Sequence, residues 1–356
     1  MPQRVIESIR VRPRLDAKPW GGRRLEAWGV ALPAGEQIGE ALLTAPDSIV
    51  ASGASQGITL GELTRRDPAA WVGAAGLAVT GGRPIFPLLA KLIDSQSDLS
   101  IQVHPDDRAA AAANLGTGKT EAYHVLAADP GSVIFLGLRL DANVDDFATA
   151  CRRADGSAAH FLRRVSAQPG MTVLIPAGTP HALGAGVTLY EIQQPSNVTF
   201  RLDDWGRVDA AGASRPLHHD AGLAVVDPRS RPEPISPIAI GANHAERELL
   251  VATRYFALER IAAAGIALVP TAASPQALTC IRGRWTAATG ASETDFSRGE
   301  TIILPAGAGA ALTASADGTV LRGWVPDLER DVAAPARAAG ASDEQIRALG
   351  GTLLDA

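Results

Sequence analysis

The stretch "GMTVLIPAGTPHA", beginning at Gly170, recurs as "GETIILPAGAGAA" from Gly299. Each copy reads glycine, an apolar strand, Pro-x-Gly and a small-residue turn. An echo this far along the chain predicts two copies of one β-domain. The copies are unequal, because Ala310 stands in the second where His181 stands in the first. Short apolar runs bounded by Gly and Pro fill the rest of the chain, the pattern of a β-rich fold with many short strands. Expected strands include "RVIESIRV", "LSIQVH", "EAYHVL", "SVIFLGL", "MTVLIPA", "VTLYEIQ", "VTFRLD", "FALERIAA", "ALTCIRG", "ETIILPA" and "TVLRGWV".

Helical patterns interrupt them at "TLGELTRRDPAAWVG", "PIFPLLAKLIDSQ", "DDRAAAAANL" and "NVDDFATACRRADGSAAHFLRRV". The last reads as two amphipathic pieces split at Gly156, with Asn143 as N-cap of the first. A Pro-rich run places the boundary between the copies near residue 235. The expected units are 1–235, 236–330 and a tail, 331–356. Ser342 and Gln345 in the tail have the spacing of a capping box and predict a short helix.

Composition narrows the function classes. A net charge of −5 and no run of basic residues argue against a general nucleic-acid binder. No apolar segment approaches the ~20 residues that span a bilayer, and the N-terminus lacks the apolar core of a signal peptide. Cys151 and Cys280 fit no metal spacing and read as reduced thiols of a cytoplasmic protein. Of 33 basic side chains only Lys18, Lys91 and Lys119 are lysines. In so Arg-rich a chain, surviving lysines mark positions where a compact ammonium is needed and a guanidinium fork does not serve.

In "LSIQVHPDD" the period of a strand puts Gln102 and His104 on one face and Ile101 and Val103 on the other. Two ligand-capable groups side by side suggest a metal site. The pattern at Gly170, Pro176, Gly178 and His181 matches the second motif of the cupin superfamily. Gln102 and His104 occupy the paired positions of its first motif, with Glu121 following after an insertion. "KPWGG", "LSIQVHPDD", "GKTEAYHVL" and "PAGTPHALGAGVTLYEIQQPSNVTFRLDDWGR" together resemble type I mannose-6-phosphate isomerases, most nearly the short bacterial form.

That resemblance implies a mainly β fold of two cupin (jelly-roll) domains, the first metal-binding with helical insertions, the second degenerate. It implies that Gln102, His104, Glu121 and His181 hold one zinc ion per chain, a mixed N/O set suited to that metal. It implies catalytic roles for Arg201, Lys119, Lys91 and Glu40, and a supporting wall at Trp20. Arg207 is a further expected source of positive charge. The implied reaction interconverts mannose 6-phosphate and fructose 6-phosphate in a monomer or small homo-oligomer. Two departures stand out: Asn197 replaces an aspartate common in the family, and Gly118 stands where some relatives have histidine. His124, His160, His218 and His219 are expected to be structural. An iron-dependent dioxygenase, a sugar-binding cupin and an isomerase of another aldose remain alternatives at this stage.

Overall fold

A computed structural model describes residues 7–209, 211–241, 245–290 and 292–350. Four β-sheets stack as two sandwiches. A five-stranded sheet runs in the order Phe200–Asp203, Ile101–Val103, His181–Leu183, Val133–Leu138, Leu162–Ser166. It faces a seven-stranded sheet ordered Pro234–Ile235, Thr172–Ile175, Glu121–Ala128, Val187–Gln193, Leu89–Ser95, Ile38–Leu42, Arg14–Gly22. Ile93, Tyr123, Val173 and Leu189 of the larger sheet pack between them against Ile134, Leu136 and Leu183.

The second sandwich pairs an eight-stranded sheet, centred on Ala257–Ala263, Gly318–Trp324 and Gln276–Arg282, with a four-stranded one. Leu278, Ile302 and Val320 there meet Trp285, Ala287 and Leu312. The sandwiches join back to back: Leu92, Ala122, Tyr190 and Ile192 pack on Leu258, Ile303 and Leu321. The strand Ile9–Arg12, from the start of the chain, lies in the eight-stranded sheet and pairs with Thr301–Leu304. The fold is mainly β, as expected.

Burial on both faces of the seven-stranded sheet explains one failed expectation. "PIFPLLAKLIDSQ" is not helical; it contains the strand Leu89–Ser95, all of whose residues are buried. A strand covered on both sides shows no alternation, so a short apolar run cannot be told from a buried helix by period. The second amphipathic piece after Gly156 also differs, forming a 3-10 turn, Ser157–Phe161, and an edge strand, Leu162–Ser166. The first piece is the helix Val144–Arg153, with the Asn143 side chain accepting the N–H groups of Asp145 and Asp146. The capping box at Ser342 and Gln345 is present on the helix Asp343–Ala348; the tail beyond residue 350 lies outside the described residues.

Strand registers align the two copies residue by residue. Both Pro-x-Gly turns need a left-handed residue, met by Gly178 at φ 87° and Gly307 at φ 81°. Ile175 opposes Glu121, and Leu304 opposes Gln276. Glu191 opposes Lys91, and Arg322 opposes Glu259. Glu40 opposes Ile93, and Arg247 opposes Ile261. Glu40, Lys91 and Glu191 therefore correspond to Arg247, Glu259 and Arg322, with every charge reversed, while Glu121 becomes the neutral Gln276.

The second set is closed on itself. Arg322 donates to Glu259 Oε2 at 2.9 Å and to Gln276 Oε1 at 2.6 Å, and Arg247 reaches Glu259 Oε1 at 2.5 Å. Glu259 is fully buried. Arg322→Ala strips it of one partner and is expected to destabilise the fold by about 3–5 kcal/mol, the cost of breaking a buried pair. Urea unfolding measures this; a loss below about 1 kcal/mol would put the pair among ordinary surface bridges.

Candidate metal centre

Polar side chains gather at one end of the first sandwich. Across the five-stranded sheet Arg201 opposes Gln102, and Gln102 opposes His181. His104 follows the end of the Ile101–Val103 strand, and Glu121 opens the strand Glu121–Ala128 of the facing sheet. Glu121 Oε1 lies 3.0 Å from His181 Nε2, and Oε2 lies 3.4 Å from His104 Nε2. All three residues are buried.

The other nitrogen of each imidazole is already committed. His104 Nδ1 donates to the Val198 carbonyl and His181 Nδ1 to the Thr179 carbonyl, both at 2.9 Å. A carbonyl only accepts, so Nδ1 carries the proton and each neutral ring turns an Nε2 lone pair inward. Burial, followed by the nearby Lys119 ammonium, pushes His104 down to about 3 and keeps it neutral. Burial alone would raise Glu121, but the Lys119 ammonium beside it holds it well below the usual carboxylate range.

Lone pairs thus face lone pairs, an arrangement that calls for a cation. Lys119 partly meets the demand, with Nζ 2.8 Å from Glu121 Oε2 and 3.1 Å from His104 Nε2, while Oε1 has no hydrogen-bond donor. The Gln102 amide nitrogen sits 3.2 Å from His181 Nε2. A half-turn of that amide brings its oxygen to the same place as a fourth donor. The observed donor separations suit a four-coordinate ion, whose ligands at about 2.1 Å lie roughly 3.4 Å apart.

Beside the cluster opens a cavity of about 250 Å³, and all three lysines of the chain line it, with Glu40, Glu191, Trp20, Tyr123, Asn197 and Arg201. Lys91 lies 3.0 Å from Glu191 and 3.8 Å from Glu40, whose other oxygen is 3.0 Å from Lys18. Burial lowers the Lys91 pKa, but Glu191, Glu40 and Glu121 more than reverse that and hold it charged. For Glu40, burial is likewise outweighed by Lys91 and Lys18, and its pKa falls.

Arg201 differs from these paired groups. Asp203 accepts backbone N–H groups of Gly156 and Trp205, and Asp204 binds Arg207 and Arg215. Arg201 itself donates from Nη1 to the Pro216 carbonyl at 2.8 Å, and its Nε has no partner. Burial and Arg215 lower its pKa, yet a guanidinium stays charged. It is a cation in the cavity wall with no carboxylate of its own among the described residues.

All eight residues singled out from the sequence therefore meet at one place. Arg207 does not join them: it is held by Asp204 and by the Asp98 carbonyl at 2.6 Å, and Arg215 lines the cavity instead. Glu191 was missed. Its only signal is that it is the one charged residue in "VTLYEIQ". His124 lies on the far face, 2.9 Å from Thr172 Oγ1, with burial and Arg260 pushing it down to about 4. His218 accepts the Arg201 backbone N–H at 3.1 Å, and His219 donates to the Leu202 carbonyl at 2.9 Å. The pair braces the Arg201 strand. Gly118 has a steric reason: a Cβ there would lie 2.5 Å from the Asp106 and Asp107 backbone, leaving no room for histidine.

No family model matches the chain. The mannose-6-phosphate isomerase ManA of Bacillus subtilis (strain 168) is 31% identical over 317 residues, 86% of this chain and 95% of that protein. The mannose-6-phosphate isomerase of Streptococcus mutans serotype c is 28% identical over 306 residues, covering 85% and 93%. The crystal structure of the Bacillus subtilis mannose 6-phosphate isomerase shares the fold at a TM-score of 0.78 and 27% identity, over 89% of this chain and 99% of that one. Similarity of this extent, over nearly the whole length of each relative, places the chain in the mannose-6-phosphate isomerase family.

Proposed function

We propose that this protein is a zinc-dependent aldose–ketose isomerase that interconverts mannose 6-phosphate and fructose 6-phosphate through an enediolate. One observation carries the reading: a His104–Glu121–His181 cluster of inward lone pairs adjoins a cavity whose wall holds the unpaired Arg201. An iron dioxygenase would have no use for that cation.

In this reading Gln102, His104, Glu121 and His181 hold zinc. Bound zinc supplies Lewis acidity that polarises the sugar carbonyl and offsets negative charge on its oxygens. Arg201 supplies positive charge to the anionic oxygens of the substrate, which is how a protein of net charge −5 takes a phosphate ester. The reaction moves a proton between C2 and C1. Lys91, held charged, cannot accept it in this arrangement and serves as a cation. Glu40, held ionised, keeps the lone pairs that an acceptor needs. Lys119 orients the sugar oxygens next to Glu121.

The test follows mannose 6-phosphate conversion with bound metal measured beside it. Chelation is expected to abolish activity and zinc to restore it. Protein purified without metal would undo the assignment. A zinc-loaded protein inactive on mannose 6-phosphate would move the question to the substrate, with Asn197, in the cavity lining where an aspartate is common in the family, the first position to change.

A further inference from the structure

Lys119 carries a flexible four-carbon stem, so the place of its ammonium depends on where the backbone starts that stem. Three successive backbone N–H groups around it are each held by a separate acceptor. Gly118 N–H donates to Asp107 Oδ1 at 2.8 Å, Lys119 N–H to the Pro105 carbonyl at 3.0 Å, and Thr120 N–H to Gln194 Oε1 at 2.9 Å. The Gln194 amide donates in turn to Asp107 Oδ1 at 3.0 Å. Asp107 therefore secures both ends of the bracket, one directly and one through Gln194. Its own backbone is fixed at the first turn of the helix Asp107–Ala112, capped by Asp106.

The other carboxylate oxygen faces the second copy. Tyr255 donates its hydroxyl to Asp107 Oδ2 at 2.7 Å and receives a hydrogen bond from Arg254 at 2.6 Å. Thr253 Oγ1 accepts the backbone N–H groups of Tyr255 and Phe256, both at 3.1 Å, so the tyrosine stands on a pinned turn. Tyr255 is 6% exposed, and neither it nor Asp107 lines the cavity.

We propose that Asp107, anchored by Tyr255 of the second copy, is a positioning residue for Lys119. The copy that lost its metal ligands keeps a part in the reaction by holding the loop on which the active-site lysine stands. This rests on the assignment of Lys119 to the isomerase site.

The test uses the full-length zinc-loaded protein in three variants. Asp107→Ala is expected to lower kcat about 10- to 100-fold, the scale of an ångström-level misplacement, with zinc content unchanged and KM moved less than about threefold. Asp107→Asn keeps an oxygen for Gly118 and Gln194 but turns an amide nitrogen toward the Tyr255 hydroxyl, and it is expected to lose no more than Tyr255→Phe does. Tyr255→Phe keeps the ring and removes only the hydroxyl, with its hydrogen bonds to Asp107 and from Arg254, and a smaller loss of about threefold to tenfold is expected. Amide hydrogen exchange at Gly118, Lys119 and Thr120 should speed up in Asp107→Ala and Tyr255→Phe, a readout independent of the substrate.

Wild-type kcat and unaltered exchange in Tyr255→Phe would overturn the proposal, even if Asp107→Ala failed to fold. Equal losses in Asp107→Asn and Asp107→Ala would also overturn it, since the bracket survives in one and not the other. An inactive wild-type protein would instead sink the isomerase assignment, while the exchange rates would still report on the bracket.

Discussion

His181→Ala is expected to lose bound metal and isomerase activity together. The side chain is fully buried, its Nδ1 is locked to the Thr179 carbonyl, and its Nε2 lies 3.0 Å from a Glu121 oxygen that has no hydrogen-bond donor. Removing an outer partner of a metal ligand typically costs about 10- to 100-fold in affinity or activity. Removing a ligand should cost at least about 100-fold by the same measure. Alanine also leaves a hole where an imidazole stood. Elemental analysis after dialysis, run beside initial rates on mannose 6-phosphate, checks both losses. Full metal occupancy in the variant would mean that the ligand set is wrong.

Arg201→Ala is expected to separate the two properties. Arg201 touches none of the three clustered ligands' donor atoms, so zinc should stay. Turnover should fall by about 10²–10³-fold, as when one preorganised donor is removed from developing or fixed negative charge. The guanidinium is set in place by Pro216 and by a backbone that His218 and His219 brace. Arg201→Lys would restore the charge but not the planar fork, and only partial recovery is expected. A zinc-loaded Arg201→Ala protein with unchanged turnover would remove Arg201 from the mechanism.

His181 was legible because it sits in a local pattern, whereas a role for Arg201 was implied only by the family resemblance. Gln102 and His104 share a face by the two-residue period of a strand, and His181 follows a Pro-x-Gly turn whose geometry requires its glycine. Asn143 and Ser342 announced helix starts for the same reason: a cap acts within three or four residues of itself. Lys91 shows where such reading fails. Its type and place were marked by the scarcity of lysine, yet its segment read as a helix, because both faces of its strand are covered.

The sequence by itself determined that this chain is mainly β and duplicated, and that one copy carries ligands the other lacks. Those features are written in repeats, turns and short-range periodicity. Only the tertiary structure decided which charges meet. It brought Glu191 beside Lys91, turned Arg207 into a partner of Asp204, left Arg201 unpaired, and aligned Glu40, Lys91 and Glu191 with groups of opposite charge in the second copy. It also set Tyr255 against Asp107, across the boundary between the sandwiches. The reason is physical: a periodic pattern fixes which face a side chain takes, whereas pairing depends on strands that are distant in the chain and neighbours only after the sheets have closed.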